Sequence, residues 1–138
     1  MYAGARRGEL QALEDKNVDL DSNEIRVEWG WYEQAGRVAV KTEAAERTLP
    51  IPKVLRPILL EHRMRRGWRD GLFFGRLADR PFVPSTIRQH ARDAWEAQDP
   101  PLRPIGLHEC RHTFASLMIA AGVRAERNPS LSPSSSQL

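Results

Sequence analysis

Apolar positions recur along this chain with two different periods. Leu10 and Leu13, with Tyr2 and Ala3, fall three and four apart, which predicts a helix over residues 2–14. EIRVEWGW, residues 24–31, alternates apolar and polar positions and predicts a strand. Gln34-Ala35-Gly36 reads as a turn, and residues 38–40 and 48–51 read as two further strands joined by the polar link KTEAAER. Helical spacing then returns over 52–65, with Leu55, Ile58, Leu59 and Met64 expected to face inward. Pro84-Ser85 can cap a helix that reaches Gln98, with Ile87, Ala91, Ala94 and Trp95 on one face, before Asp99-Pro100-Pro101 ends it. A last helix is expected over 107–121, stopped by Gly122. From residue 124 the chain is rich in Ser and Pro, has no apolar period and reads as disordered. The pattern predicts an α+β fold, mainly helical with a small three-stranded antiparallel sheet. One domain is expected over residues 1–123 and a tail over 124–138.

Composition narrows the function classes. A chain of 138 residues has room for one compact core. No stretch approaches the roughly 18 apolar residues of a membrane span, and MYAGARRGEL has no signal-peptide core. A cytoplasmic protein with no membrane partner is expected. Cys110 is the single cysteine, so an intrachain disulfide is excluded and a reducing compartment fits. The net charge of +3 rests on arginine, since Lys16, Lys41 and Lys53 are the only lysines. Arginine is the side chain best matched to bidentate phosphate contact, which favours nucleic acid as partner.

The stretch with most chemistry is PIGLHECRHTFASLMIAAGV, residues 104–123. His108-Glu109-Cys110-Arg111-His112 fits H-E-x-x-H, in which two histidines bind zinc and the glutamate activates a water. Three features oppose a zinc hydrolase of His108, Glu109 and His112. Pro104 and Gly106 put His108 at the helix start, whereas the zinc motif sits mid-helix. Ala115 and Met118 stand where a metzincin extension requires Gly and His, and Glu126 lies in the Ser/Pro tail. Arg111 places a cation between the histidines. The second reading is H-x-x-R: His108 and Arg111 share a helix face beside first-turn amides, which suits a phosphate. A surface arginine beside a capping histidine remains the plainer alternative on this pair alone.

Other segments carry matching groups. GARRGEL places Arg6 at a helix start with Glu9 three residues on, where its carboxylate can hold and aim the guanidinium. Lys41 sits where the second strand opens into KTEAAER. Arg88 and Arg92, with His90, lie on the 84–98 helix and form a candidate surface for backbone phosphates. Together, GARRGEL, KTEAAERTLPIP and LHECRHTFASLMIAAGV resemble three motifs, in order, of the catalytic domain of the tyrosine recombinases, the phage-integrase family. The resemblance spans residues 2–123.

That resemblance implies DNA integration or site-specific recombination on double-stranded DNA, with strands cut and rejoined through a 3′-phosphotyrosyl link and no metal or cofactor. It implies Arg6 and Arg111 on the phosphate oxygens, Lys41 as general acid toward the 5′-oxygen, and His108 in proton transfer or phosphate binding. Glu9 and His112 would support them. No nucleophile is assigned: no tyrosine follows Arg111, and Tyr2 and Tyr32 lie elsewhere. Packing is the expected role of Tyr2. The start within a helix and the switch to Arg, Pro and Ser after Val123 suggest a truncated remnant of a mobile element that at most binds DNA. The other reading is an enzyme that takes its tyrosine from a partner recombinase protomer. His62, Cys110, Trp68, Phe73 and Phe74 are expected to be structural.

Overall fold

The computed structural model describes residues 4–40 and 46–122. Lys41, Tyr2 and the 124–138 tail therefore lie outside the described residues, as does the outer part of the proposed division at residue 123. Helix α1 (Arg7–Ala12) is shorter than its apolar pattern predicts and leads through a 3-10 turn (Asp15–Asn17) into β1 (Val18–Asp19). The Asp19 carboxylate accepts the Asp21 and Ser22 amides, each at 2.9 Å, and turns the chain into β2 (Glu24–Val27). Then come β3 (Trp29–Tyr32), β4 (Gly36–Ala39), β5 (Arg47–Pro50), α2 (Arg56–Arg65), α3 (Pro84–Glu96) and α4 (Leu107–Ala120).

The sheet is antiparallel, as expected, but its layout differs from a single three-stranded unit. The 24–31 run is two strands: β2 pairs with β1 and β5, while β3 pairs with β4. Burial shows the cause. Ile25 and Val27 point inward, and the phase then slips by one residue at Glu28, so that Gly30 is inward and Trp29 and Trp31 are half-buried. The ladder continues through the slip by a bond from Val40 N to Glu28 O at 3.0 Å. Helix α1 lies across β3 at this point. Gly8 permits that approach, since a Cβ there would stand 2.7 Å from the Trp31 carbonyl oxygen.

The core gathers Leu13, Val18, Leu20, Ile25, Ile51, Leu59 and Phe73. Phe73 is fully buried, and its amide donates to Leu13 O at 2.7 Å, so the 71–74 segment is stitched to the end of α1. Gly71, at φ +103°, makes the bend possible, since a Cβ there would meet the Ala78 carbonyl oxygen at 2.3 Å.

Helix α2 corrects two inward assignments. Ile58 is 54% exposed and Met64 77%, while Leu59 is buried and Leu55 packs on the core. The inward stripe runs on instead through His62, Arg63 and Arg66. His62 Nε2 lies 2.8 Å from Phe73 O, Arg63 donates to Asp15 Oδ1 at 2.9 Å and to Val18 O at 2.5 Å, and Arg66 pairs with Asp15 over the Phe73 ring. Buried acceptors on the 3-10 turn need donors, so polar side chains take the face that apolar spacing had assigned to Met64. At α3 the cap position is Val83, with Pro84 in the first turn and no side-chain cap bond, so Ser85 does not cap. Gly122 does follow the last helix at φ +77°.

Phe73→Ala should remove about 3–5 kcal/mol of unfolding free energy. A denaturant titration checks this, and an unchanged midpoint would contradict the placement of Phe73 at the centre of the core.

Candidate phosphate-binding site

Elements α1, β3, β4, α3 and α4 meet around a cavity of about 890 Å³. Its wall includes Arg6 from the start of α1, Arg88 from α3, and His108 and Arg111 from the first turns of α4. Trp31 and Tyr32 at the end of β3 complete the rim. Arg6, His108 and Arg111, separated by about a hundred residues of sequence, are thus brought to one place. Lys41 lies outside the described residues, but Val40, the residue before it, lines the same cavity.

Arg6 occupies the N-cap position of α1 in extended backbone conformation, and its side chain is 59% exposed. Glu9, only 6% exposed, reaches back in two ways: its Oε2 accepts the Arg6 amide at 2.6 Å and its Oε1 accepts Arg6 Nη1 at 3.3 Å. Glu9 thus contacts both the backbone and the side chain of Arg6. The same carboxylate also receives both ends of the Arg47 fork, Nη1 on Oε1 and Nη2 on Oε2, each at 2.8 Å. Arg47 opens β5 and did not emerge from the sequence pattern.

On α4, Glu109 caps the helix by accepting the Gly106 amide at 2.6 Å. His108 and His112 stand one turn apart with Nε2 atoms 2.8 Å apart and rings at right angles. One nitrogen must donate and the other accept, so this bond couples the tautomer of His108 to that of His112. Arg111 makes no hydrogen bond or ion pair with a described residue and is half-buried against the cavity. The unpaired first-turn amides of α4 add a positive dipole end. With four arginines in the wall (Arg6, Arg7, Arg88 and Arg111) and the Glu9 charge already engaged, the cavity carries an excess of positive charge that suits an anion.

Nothing here supports the zinc alternative. Glu109 is committed to the cap, the two histidine nitrogens face each other, and no third ligand converges among the described residues. Arg92 lies outside the main cavity. It lines an adjoining groove of about 130 Å³ with Arg88, Trp95 and Ile105, so Arg88 borders both spaces. Tyr32 is 60% exposed at the cavity rim rather than packed away.

Burial acts most strongly on the Glu9 carboxyl and would raise its pKa. The Arg47 bonds, the Arg6 amide and the two positive charges together outweigh burial and hold it below the ordinary 4.5. A lowered folded-state value means that Glu9 contributes its full stability above about pH 4.5 and loses it as pH falls through the folded value. Glu9→Gln should therefore cost about 2 kcal/mol near neutral pH, with the gap to the parent closing in acid. Urea titrations across pH test this, and a gap independent of pH would contradict it.

The profile of the phage integrase family matches residues 1–127. No curated protein matches the chain. Among solved structures, XerA recombinase is similar at 25% identity and a TM-score of 0.65, over 88% of this chain and 40% of that one. The Tn1549 transposon integrase bound to transposon right end DNA is similar at 18% identity and a TM-score of 0.70, over 89% and 44%. The same integrase with circular intermediate DNA gives 19% and 0.69, over 88% and 45%. The chain spans less than half the length of these structural relatives. Among the described residues no helix is long and apolar enough to cross a membrane. The α+β fold with its small antiparallel sheet matches these neighbours, and the family match covers nearly all of the sequence, so the chain belongs to the phage integrase family, that of the tyrosine recombinases.

Proposed function

We propose that this chain supplies the phosphate-holding part of a tyrosine recombinase active site and binds double-stranded DNA through it. The observation that carries this reading is the single cavity in which Arg6, His108 and Arg111 meet. Two guanidinium groups lining one cavity suit the two non-bridging oxygens of a backbone phosphate and oppose the charge that grows on them during transfer. Each such preorganised donor contributes roughly 3 kcal/mol in comparable sites. Arg88, at the junction of cavity and groove, and Arg92 beyond it are assigned to neighbouring phosphates, with the protein bound to the nucleoid.

In strand transfer a tyrosine oxygen bonds to phosphorus, the bond from phosphorus to the 5′-oxygen breaks, and that oxygen takes up a proton. Lys41 is assigned the donation. His108, its tautomer coupled to that of His112, is assigned to the proton leaving the nucleophile or to the phosphate itself. The sequence has tyrosines only at positions 2 and 32. DNA binding is the activity these residues support by themselves, and cleavage calls in addition for a tyrosine hydroxyl delivered to the same phosphate.

Binding through a phosphate clamp is salt-dependent. Arg111→Ala should weaken binding to a mixed-sequence duplex about tenfold and reduce the slope of log affinity against log salt by about 0.9. Fluorescence anisotropy at several salt concentrations measures both. Unchanged affinity and slope would overturn the proposed site.

A further inference from the structure

Glu9 is the most constrained charged group beside the cavity, and its four hydrogen bonds divide unevenly. A carboxylate offers about four lone-pair directions. Arg47 takes two of them with a symmetric fork, both arms at 2.8 Å. The Arg6 amide takes a third at 2.6 Å. What remains for the Arg6 guanidinium is one longer bond, 3.3 Å, from a single Nη. Arg6 is held loosely at one corner while the rest of its fork stays exposed on the cavity wall.

Arg47 itself does not line the cavity. It opens β5 opposite Val27 and follows directly on the segment that begins with Lys41, 38 residues from Glu9. Its guanidinium reaches inward to Glu9. Any effect of Arg47 on a phosphate in the cavity must pass through the carboxylate.

Resting on the phosphate-site reading above, we infer that Arg47 is a positioning residue: by occupying Glu9 bidentately, it keeps Glu9 from capturing Arg6 and leaves the Arg6 guanidinium free for the DNA phosphate. Without Arg47, a carboxylate only 6% exposed would have two lone pairs unfilled. The nearest remaining cation is Arg6, one turn away on the same helix. Arg6 would close onto Glu9 as a two-armed pair and leave the cavity wall, because a buried carboxylate left half-satisfied is costly. The same contact ties β5 to the start of α1.

The test is a double-mutant cycle on the full chain with a mixed-sequence fluorescent DNA duplex. Arg6→Ala and Arg47→Gln should each weaken binding about tenfold and lower the salt slope by about 0.9. The double variant should bind no more weakly than Arg6→Ala alone, since both changes remove the same phosphate contact. Arg47→Lys keeps the charge but not the planar fork, so it should remain weak; it also serves if the glutamine variant does not fold. Thermal melting of each variant separates lost stability from lost binding. Multiplying losses in the double variant would show that Arg47 touches DNA itself and overturn the inference. A lower melting temperature with parental affinity would reduce Arg47 to a structural clamp and equally overturn it. Parental affinity in Arg6→Ala would strike down the phosphate-site reading, and the inference with it.

Discussion

The site depends on one buried carboxylate. Glu9 sits under the start of α1 and is stable there as an anion only because two arginines and a backbone amide surround it. A charge in that position without partners would cost several kcal/mol or give up its ionisation. The requirement works in both directions. Glu9 needs Arg6 and Arg47, and in meeting that need it brings the entry of α1 and the first residue of β5 to a fixed separation. Gly8 lets α1 lie close on β3, whose Trp31 and Tyr32 line the same cavity as Arg6.

The chain uses the same device a second time. Asp15, at the 3-10 turn after α1, takes Arg63 and Arg66 from the far end of α2, 48 and 51 residues away. Phe73 lies against both guanidinium groups, 5.4 and 4.7 Å from its ring centre, and closes the core beneath them. Two carboxylates on one short segment thus gather arginines from two distant stretches, the start of β5 and the end of α2. Apolar burial makes the core cohesive, while these charge pairs fix which faces meet. By contrast, Arg6, Arg88 and Arg111 keep their charge largely uncommitted at the cavity, where a phosphate can supply the balancing anion.

Much of this was legible in the sequence where it is local. His108 and Arg111 share a helix face by their spacing, Glu9 stands three residues from Arg6, and Gly122 stops the last helix. Three motifs in the right order were enough to expect the fold class. What escaped was set by contacts distant in sequence. Arg47 looks like any polar residue at a strand start, and only the packing of α1 on the sheet shows it facing Glu9. The slip at Glu28 hides inside a run whose alternation looks continuous, since Trp29 and Trp31 are apolar whichever way they point. Ile58 and Met64 fit an apolar stripe, but the acceptors around Asp15 drew Arg63 and Arg66 to the inner face. Tyr32 carried no sign of its place on the cavity rim, because that place depends on where α4 is folded back.

In the proposed function a DNA backbone phosphate sits between Arg6 and Arg111. A crystal structure of the chain bound to duplex DNA tests it most directly. The expected complex has one phosphate within hydrogen-bond reach of both guanidinium groups, with His108 beside it and the duplex continuing past Arg88 toward Arg92. Duplex bound on another face, with the cavity holding only solvent, would contradict it.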